Sequence, residues 1–494
     1  MLAFGVDITR RLTVLAVLAA FSTVFWILRK GFKGPLSSVP GPWYSRYTNV
    51  VLKYHIFNGR RIHYVHELHH KYGSVVRISP DEVEVSDLAA YREVHRIGSG
   101  FVKAPWYDTI TPGMESNVFS MTNVQEHAAR RRLLARPFSR SSLLSHFQDL
   151  VSERARFAVA KIKEEAGQDV CDAMKWWTLM TSDVIMEVAF GEKAGLLEAG
   201  EKNDYIDDLE RAEISFSLQG ETPWLYQFLK IVNPGAYRGI EQSLTNVIAK
   251  ATSSAQKAKE GKLNRHNILS GMIEASRLEG TVVNDFGLGS QASALIIAGS
   301  GTTASTLTYA TWALLSYPIV RRKLEDELTE LPDKLDDVML EKLPYLDAFI
   351  TEVLRVYGSA PGGLPRTTPS NGIRIGNHYI PPGVTLTTQA YTMHRDPSIF
   401  EDPGKFDPDR FYQRELTPDQ KYAFTPFGGG TRVCLGIHLA NMELRHGITE
   451  FVRECRHLEL SKLTTPESME MENYFLIAPK GHRLMVESVG ETKF

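Results

Sequence analysis

No charged residue occurs between Phe286 and Val320. A run of that length either crosses a bilayer or lies inside a protein large enough to surround it. Its content separates the two. Ser290, Gln291, Ser293, Ser300, Thr302 and Thr303 are spread along it. Such groups are costly in hydrocarbon and find partners in a protein interior. Asn284 or Asp285 can cap the start, and Pro318 marks the end. The run therefore predicts a long buried helix at the centre of the body.

A second apolar run reads differently. Leu12 to Leu28 carries no charge; Arg10 and Arg11 precede it, and Arg29, Lys30 and Lys33 follow. A cleaved signal would have a shorter apolar region ending in a small-residue site. Here Phe25-Trp26-Ile27-Leu28 and then basic residues read as an interfacial belt and a stop. Residues 1–33 are thus expected to be an uncleaved single-pass membrane anchor with its flanks. The basic flank on the C-terminal side favours a cytosolic body. Pro35, Pro40 and Pro42 make 34–42 a stiff proline-rich hinge.

The 494 residues would allow about three domains by length, but no linker, repeat or low-complexity tract divides 34–494. Ser74 to Val85 alternates around Ser79-Pro80-Asp81, and Ile373 to Ile380 alternates around Gly376-Asn377; both predict β-hairpins. Most of 130–360 reads helical. The expected fold is mainly α with small β-sheets (α+β), in one body. The net charge of −2 points away from nucleic acid. Three cysteines, Cys171, Cys434 and Cys455, make no disulfide framework. A special cysteine would then be a ligand or a nucleophile.

One cysteine has a special setting. In Phe427-Gly428-Gly429-Gly430-Thr431-Arg432-Val433-Cys434-Leu435-Gly436 a glycine-rich loop leads to Cys434, and a helical pattern follows. Free N–H groups and the dipole at a helix start favour a thiolate. Glycines would let the backbone pass close to a flat cofactor. Arg432 can meet a cofactor carboxylate. The bland alternative is a loop with a structural cysteine. A phosphate loop would need a Lys-Ser/Thr that this segment lacks.

The segment resembles the cysteine signature of the cytochrome P450 family, Phe-x-x-Gly-x-Arg-x-Cys-x-Gly, through Phe427, Gly430, Arg432, Cys434 and Gly436. The resemblance implies haem b, with Cys434 as the axial thiolate ligand of its iron. Glu352-Val353-Leu354-Arg355 alone would be a surface ion pair worth a few tenths of a kcal/mol. Its place before the cysteine, with Phe406 to Phe411 between, is similar to the family's Glu-x-x-Arg and Pro-x-Arg-Phe elements. That implies a structural triad of Glu352, Arg355 and Arg410. Ala298 to Thr303 resembles the oxygen-activation motif. A threonine there can bond the carbonyl of Ala298 and bend the helix, and Thr302 is implied to serve dioxygen. Gly301 stands where the family usually has an acid, which puts the usual proton route in doubt.

Further matches imply cofactor contacts. Arg131 and His127 fall on the family's Trp-x-x-x-Arg, with histidine replacing tryptophan; Arg366 and His394 match other propionate contacts. The implied substrate pocket includes the loop from Phe101 to Phe119, Ala294, Ala298, Gly363, Leu364 and Phe475. The expected activity is monooxygenation of a small hydrophobic compound, with electrons from NADPH through an NADPH–cytochrome reductase at the endoplasmic reticulum membrane. The wording around Glu126-His127-Ala128 and Ala189-Phe190-Gly191 is similar to fungal members that tailor secondary metabolites such as polyketides or terpenoids. Two other readings stay open: a haem-thiolate isomerase or dehydratase that needs no reductase, and a non-catalytic haem-binding protein.

Overall fold

The computed structural model describes residues 2–110, 115–201, 204–262, 266–281 and 283–489. The charge-free run forms the helix Asp285–Ser316. The Asn284 side chain accepts the Gly287 N–H at 2.6 Å and caps its start. Tyr317 closes it, and Pro318 begins the next helix. Most of its serine and threonine hydroxyls are paired inside the protein. Ser293 and Ser300 donate back to the carbonyls of Gly289 and Ile296. Trp177 donates its indole N–H to Thr311 at 3.0 Å, and Thr181 donates to the Ser300 carbonyl at 2.8 Å. This pairing is what a lipid environment would not supply.

Two of the helices that pack on this central one do so at a glycine. Ala173–Phe190 crosses it where Gly299 removes a side chain: a Cβ there would sit 2.4 Å from Ile185 Cγ1. Ile437–Glu454, the helix that follows Cys434, meets it where Gly447 faces Leu307, with only 2.9 Å left for a Cβ. Leu307, Val184, Leu179, Ile448 and Phe451 are buried between these elements. Burial of each such side chain contributes about 1.5–3 kcal/mol.

Small sheets flank the helices, and both predicted hairpins are present. Val75–Ser79 pairs with Glu82–Val85, and Ile373–Ile375 with His378–Ile380. The first hairpin belongs to a five-stranded sheet that continues through Thr385–Thr387 and Arg366–Thr367 to Val102–Lys103. Its register sets Lys103 opposite Arg366. The mainly helical body with small sheets is the architecture expected from the sequence.

The apolar N-terminal run lies in the helix Leu2–Lys33, whose residues Leu12–Lys33 are long and apolar enough to cross a membrane. Phe21, Val24, Phe25 and Trp26 are exposed along it. Phe32 meets Tyr47 edge to face at 6.0 Å where the helix reaches the body. The proline-rich segment then docks on the sheet. Leu36 and Val39 are buried with Val75, Val83 and Ile380, and the Arg77 N–H donates to the Pro40 carbonyl at 2.7 Å.

Because Gly299 lets two core helices touch, Gly299→Val is expected to force them apart and cost about 1–3 kcal/mol. Thermal unfolding should show a lowered midpoint, and adding Ile185→Ala should recover part of it.

Candidate active site around Cys434

The loop before Cys434 is folded by its own backbone. The Gly428 N–H donates to the Thr425 carbonyl at 3.0 Å, and the Cys434 N–H donates to the Phe427 carbonyl at 2.9 Å. Gly428 and Gly430 have φ of +72° and +62°, a region that side chains disfavour. The close approach that the glycines permit is to the protein. A Cβ on Gly430 would lie 2.1 Å from the His95 carbonyl, and one on Gly429 2.5 Å from the Tyr91 hydroxyl. Gly429 and Gly430 let the loop seat on Leu88–His95.

Only Cys434 of the three thiols has accessible surface; Cys171 and Cys455 are buried. Burial raises the Cys434 thiol, and three groups oppose that: the Gly436 N–H, Arg131 and the Ile437 N–H at the helix start. Burial pushes Cys455 up to about 12. Cys434 is thus set inside protein, reachable, and supplied with donors aimed at sulfur, which suits a soft metal ligand.

Near its middle, the largely buried central helix has a reachable stripe. Ala298 is exposed, and Ala294, Gly301 and Thr302 are partly so. These positions share one helix face, so an internal space runs beside them. Thr302 donates its hydroxyl to the Ala298 carbonyl at 2.7 Å, as the sequence predicted. One loop touches both this helix and the cysteine loop. Val118 N–H donates to Gln291 at 3.0 Å, and the Met121 carbonyl accepts from Arg432 at 2.8 Å.

Cations crowd this region. Arg131 donates to the Val433 carbonyl at 2.7 Å, beside the cysteine. Arg366 donates to the Tyr107 hydroxyl at 3.4 Å and the Pro365 carbonyl at 3.1 Å. Lys103 donates to the Phe119 carbonyl, with its ammonium 3.8 Å from the Tyr107 ring centre and 4.3 Å from that of Phe119. Among the described residues, none of these four arginines and lysines has a carboxylate within ion-pair distance. The strain shows in their acidities. Burial, then Arg366 and Arg432, hold Lys103 far below its usual range. Burial, then Arg366, lower Arg432 to about 10. Burial, then Arg432 and Lys103, lower His127 to about 3, so it is neutral and able to donate. Sequence reasoning missed Lys103, since only the pairing of two short strands places it beside Arg366.

The family model described as Cytochrome P450 matches residues 40–486. The chain belongs to the cytochrome P450 family. It is 38% identical over 479 residues to cytochrome P450 monooxygenase stcB of Emericella nidulans, covering 93% of this chain and 90% of that protein. It is 35% identical over 493 residues to cytochrome P450 monooxygenase cypX of Dothistroma septosporum, covering 98% and 96%. It is 36% identical over 490 residues to cytochrome P450 monooxygenase tazI of Aspergillus terreus, covering 97% and 98%.

The P450 family implies haem, and the residues fit it. Buried cations without counter-charge are costly, and a haem brings two carboxylates. Its iron takes a thiolate, and the one accessible thiol lies beside Arg131, a member of the same cation cluster.

The expected triad is assembled. Arg355 grips Glu352 with two hydrogen bonds of 2.7 and 2.8 Å, and Arg410 Nε donates to the same carboxylate at 3.2 Å. Arg355 also donates to the His394 carbonyl at 2.7 Å. His394 is a correction to the sequence reading, which made it a propionate contact. Its Nδ1 bonds the Arg355 carbonyl at 2.9 Å, and its Nε2 accepts the Thr425 N–H at 2.9 Å. Burial lowers it to about 3, so it is neutral with no donor left for a cofactor. It links the triad to Thr425, whose carbonyl begins the cysteine loop.

Gly363 is a second correction. It is buried and bridged to Gln389, and a Cβ there would meet Arg61 and Thr387, not the internal space. Leu364 does border the cysteine loop, 3.6 Å from where a Gly428 Cβ would be. Phe475 stacks on Trp106 and meets Phe119 edge-on, with ring centres 6.0 and 5.7 Å apart. Residues 111–114 of the expected pocket loop lie outside the described residues.

Glu352→Ala leaves the buried Arg355 uncompensated. The expected loss is about 3–5 kcal/mol, read as a lower unfolding temperature with reduced haem retention.

Proposed function

We propose that this P450 is a monooxygenase that places one oxygen atom of dioxygen on a small hydrophobic compound, in the tailoring of a fungal secondary metabolite such as a polyketide or terpenoid. The observation that carries the reading is the accessible Cys434 thiol beside a cluster of cations that lack counter-charges. Bound haem supplies the dioxygen chemistry. Cys434 would supply the thiolate to its iron, tuned by the Gly436 and Ile437 N–H groups. Arg131, Arg366, Arg432, Lys103 and neutral His127 would hold the propionates, and Phe427 and Gly436 would shape the loop. Glu352, Arg355 and Arg410 hold that loop in place.

Thr302 is the catalytic residue of the chain itself. Its hydroxyl, parked on the Ala298 carbonyl, can turn to hold a proton toward dioxygen. Gly301 has no side chain to titrate, so ordered water beside Thr302 carries the remaining proton transfer; the site has the hydroxyl partners that such water needs. Ala294, Ala298, Leu364 and Phe475 form an apolar wall that excludes bulk water from the substrate. Electrons come from NADPH through a membrane-bound NADPH–cytochrome reductase. Residues 1–33 anchor the catalytic domain, 34–494, on the cytosolic face of the endoplasmic reticulum membrane.

The test begins with a screen of polycyclic polyketides and terpenoids for a spin-state shift. A compound that shifts the spectrum is then turned over with reductase and NADPH under isotopically heavy dioxygen. The product should carry one heavy oxygen atom, and none should form without NADPH. A rearranged product that needs no NADPH would instead establish an isomerase or dehydratase.

A further inference from the structure

Thr302 is held from behind by hydroxyl groups that the reading above leaves unused. Ser359 lies just beyond the helix Pro344–Tyr357 and donates its hydroxyl to the Thr302 carbonyl. The Thr306 hydroxyl reaches the same carbonyl at 3.0 Å, and lies 2.7 Å from the Ser359 hydroxyl. With one proton each, Ser359 donates to the carbonyl while Thr306 shares its proton between that carbonyl and the Ser359 oxygen. The Ser359 carbonyl accepts the Ile477 N–H at 2.8 Å. The Ile477 carbonyl in turn accepts the Ser305 hydroxyl at 2.7 Å. Ser305, Thr306, Ser359 and Ile477 are all buried.

These contacts close a ring. It starts on the central helix at 302–306, passes through Ser359 to Ile477, and returns to the helix at Ser305. Both outer stations lead directly into pocket wall: Ser359 is followed by the segment to Leu364, and Ile477 follows Phe475 and Leu476. On the inner side, the residue whose carbonyl is gripped is the one whose hydroxyl faces the internal space. Buried hydrogen bonds are directional, and breaking one strands a partner. Movement of either wall therefore passes to the Thr302 backbone, and the register of Thr302 Oγ1 depends on the ring being whole.

We propose that Ser359 is a positioning residue for Thr302, its hydroxyl coupling the walls of the substrate pocket to the group that serves dioxygen. The inference rests on the Thr302 role proposed above. Ser359 touches neither cofactor nor reacting atoms in this assignment; it acts through the Thr302 carbonyl.

The test uses full-length holoenzyme with reductase, NADPH and phenanthrene as an apolar probe. Peroxide released per NADPH consumed is the readout, measured for wild type, Thr302→Ala, Ser359→Ala, Ser359→Thr and Ser359→Val. Threonine and valine have nearly the same shape, so that pair isolates the hydroxyl. Haem content and unfolding temperature are recorded for each variant. Ser359→Ala and Ser359→Val should release roughly two- to tenfold more peroxide per NADPH, the range expected for one lost hydrogen bond. Ser359→Thr should stay near wild type, and Thr302→Ala should rise at least as far as Ser359→Ala. A rise in Thr302→Ala with none in Ser359→Ala or Ser359→Val overturns this inference alone. No rise in Thr302→Ala overturns the role of Thr302 and this inference with it. Equal peroxide from Ser359→Thr and Ser359→Val, following lost haem or stability, would make Ser359 a packing residue and overturn the inference.

Discussion

Glu352 is fully buried, and a carboxylate in that position is tolerable only when its charge is met on every side. Arg355, Arg410 and the Asp407 N–H do so. The same Arg355 carries the constraint outward to the carbonyls of His394 and Pro403. His394 passes it to Thr425, and Thr425 to the turn that leads to Cys434. A reachable thiol in the middle of a protein needs a loop that does not collapse onto it. Here an ion pair on a distant helix is tied by hydrogen bonds, through His394, to the start of that loop. This network explains why a helix pair that looks unremarkable in sequence matters to a cysteine some eighty positions later.

The second constraint is electrostatic. Lys103, Arg366, Arg432 and Arg131 act on one another, and Arg131 also acts on the cysteine; each is hydrogen-bonded to carbonyl or hydroxyl oxygen and none to an acid. Folding alone has no use for such a cluster, since unpaired buried charge is among the costliest features a core can carry. The cluster makes sense as half of a pair, with the cofactor's carboxylates as the other half. A bound haem would then favour folding, because its carboxylates would relieve the repulsion among these cations.

Much of this was legible in the amino-acid order, and the limits follow from distance along the chain. The charge-free run required a buried helix, and most of its serine and threonine hydroxyls did find partners in protein. The spacing of Phe427, Gly430, Arg432, Cys434 and Gly436 located the thiol, and the Thr302 bond to Ala298 follows from helix geometry alone. What stayed hidden needed tertiary pairing. Lys103 joins the cations because two short strands align it with Arg366. His394 was misread because a histidine near an arginine-rich turn looks the same whether it faces a cofactor or braces a loop. The seating of Gly429 and Gly430 on Tyr91 and His95, more than three hundred positions away, leaves no local pattern. The ring through Ser359 joins three separated segments and leaves no local pattern.

The account stands on Cys434 as the haem ligand, and the reduced carbon monoxide spectrum tests that most directly. Wild type, Cys171→Ala and Cys455→Ala should all give the spectrum of a thiolate-ligated haem, because the latter two thiols are buried away from the site. Cys434→Ala should lose it. A thiolate spectrum that survives in Cys434→Ala would contradict the account.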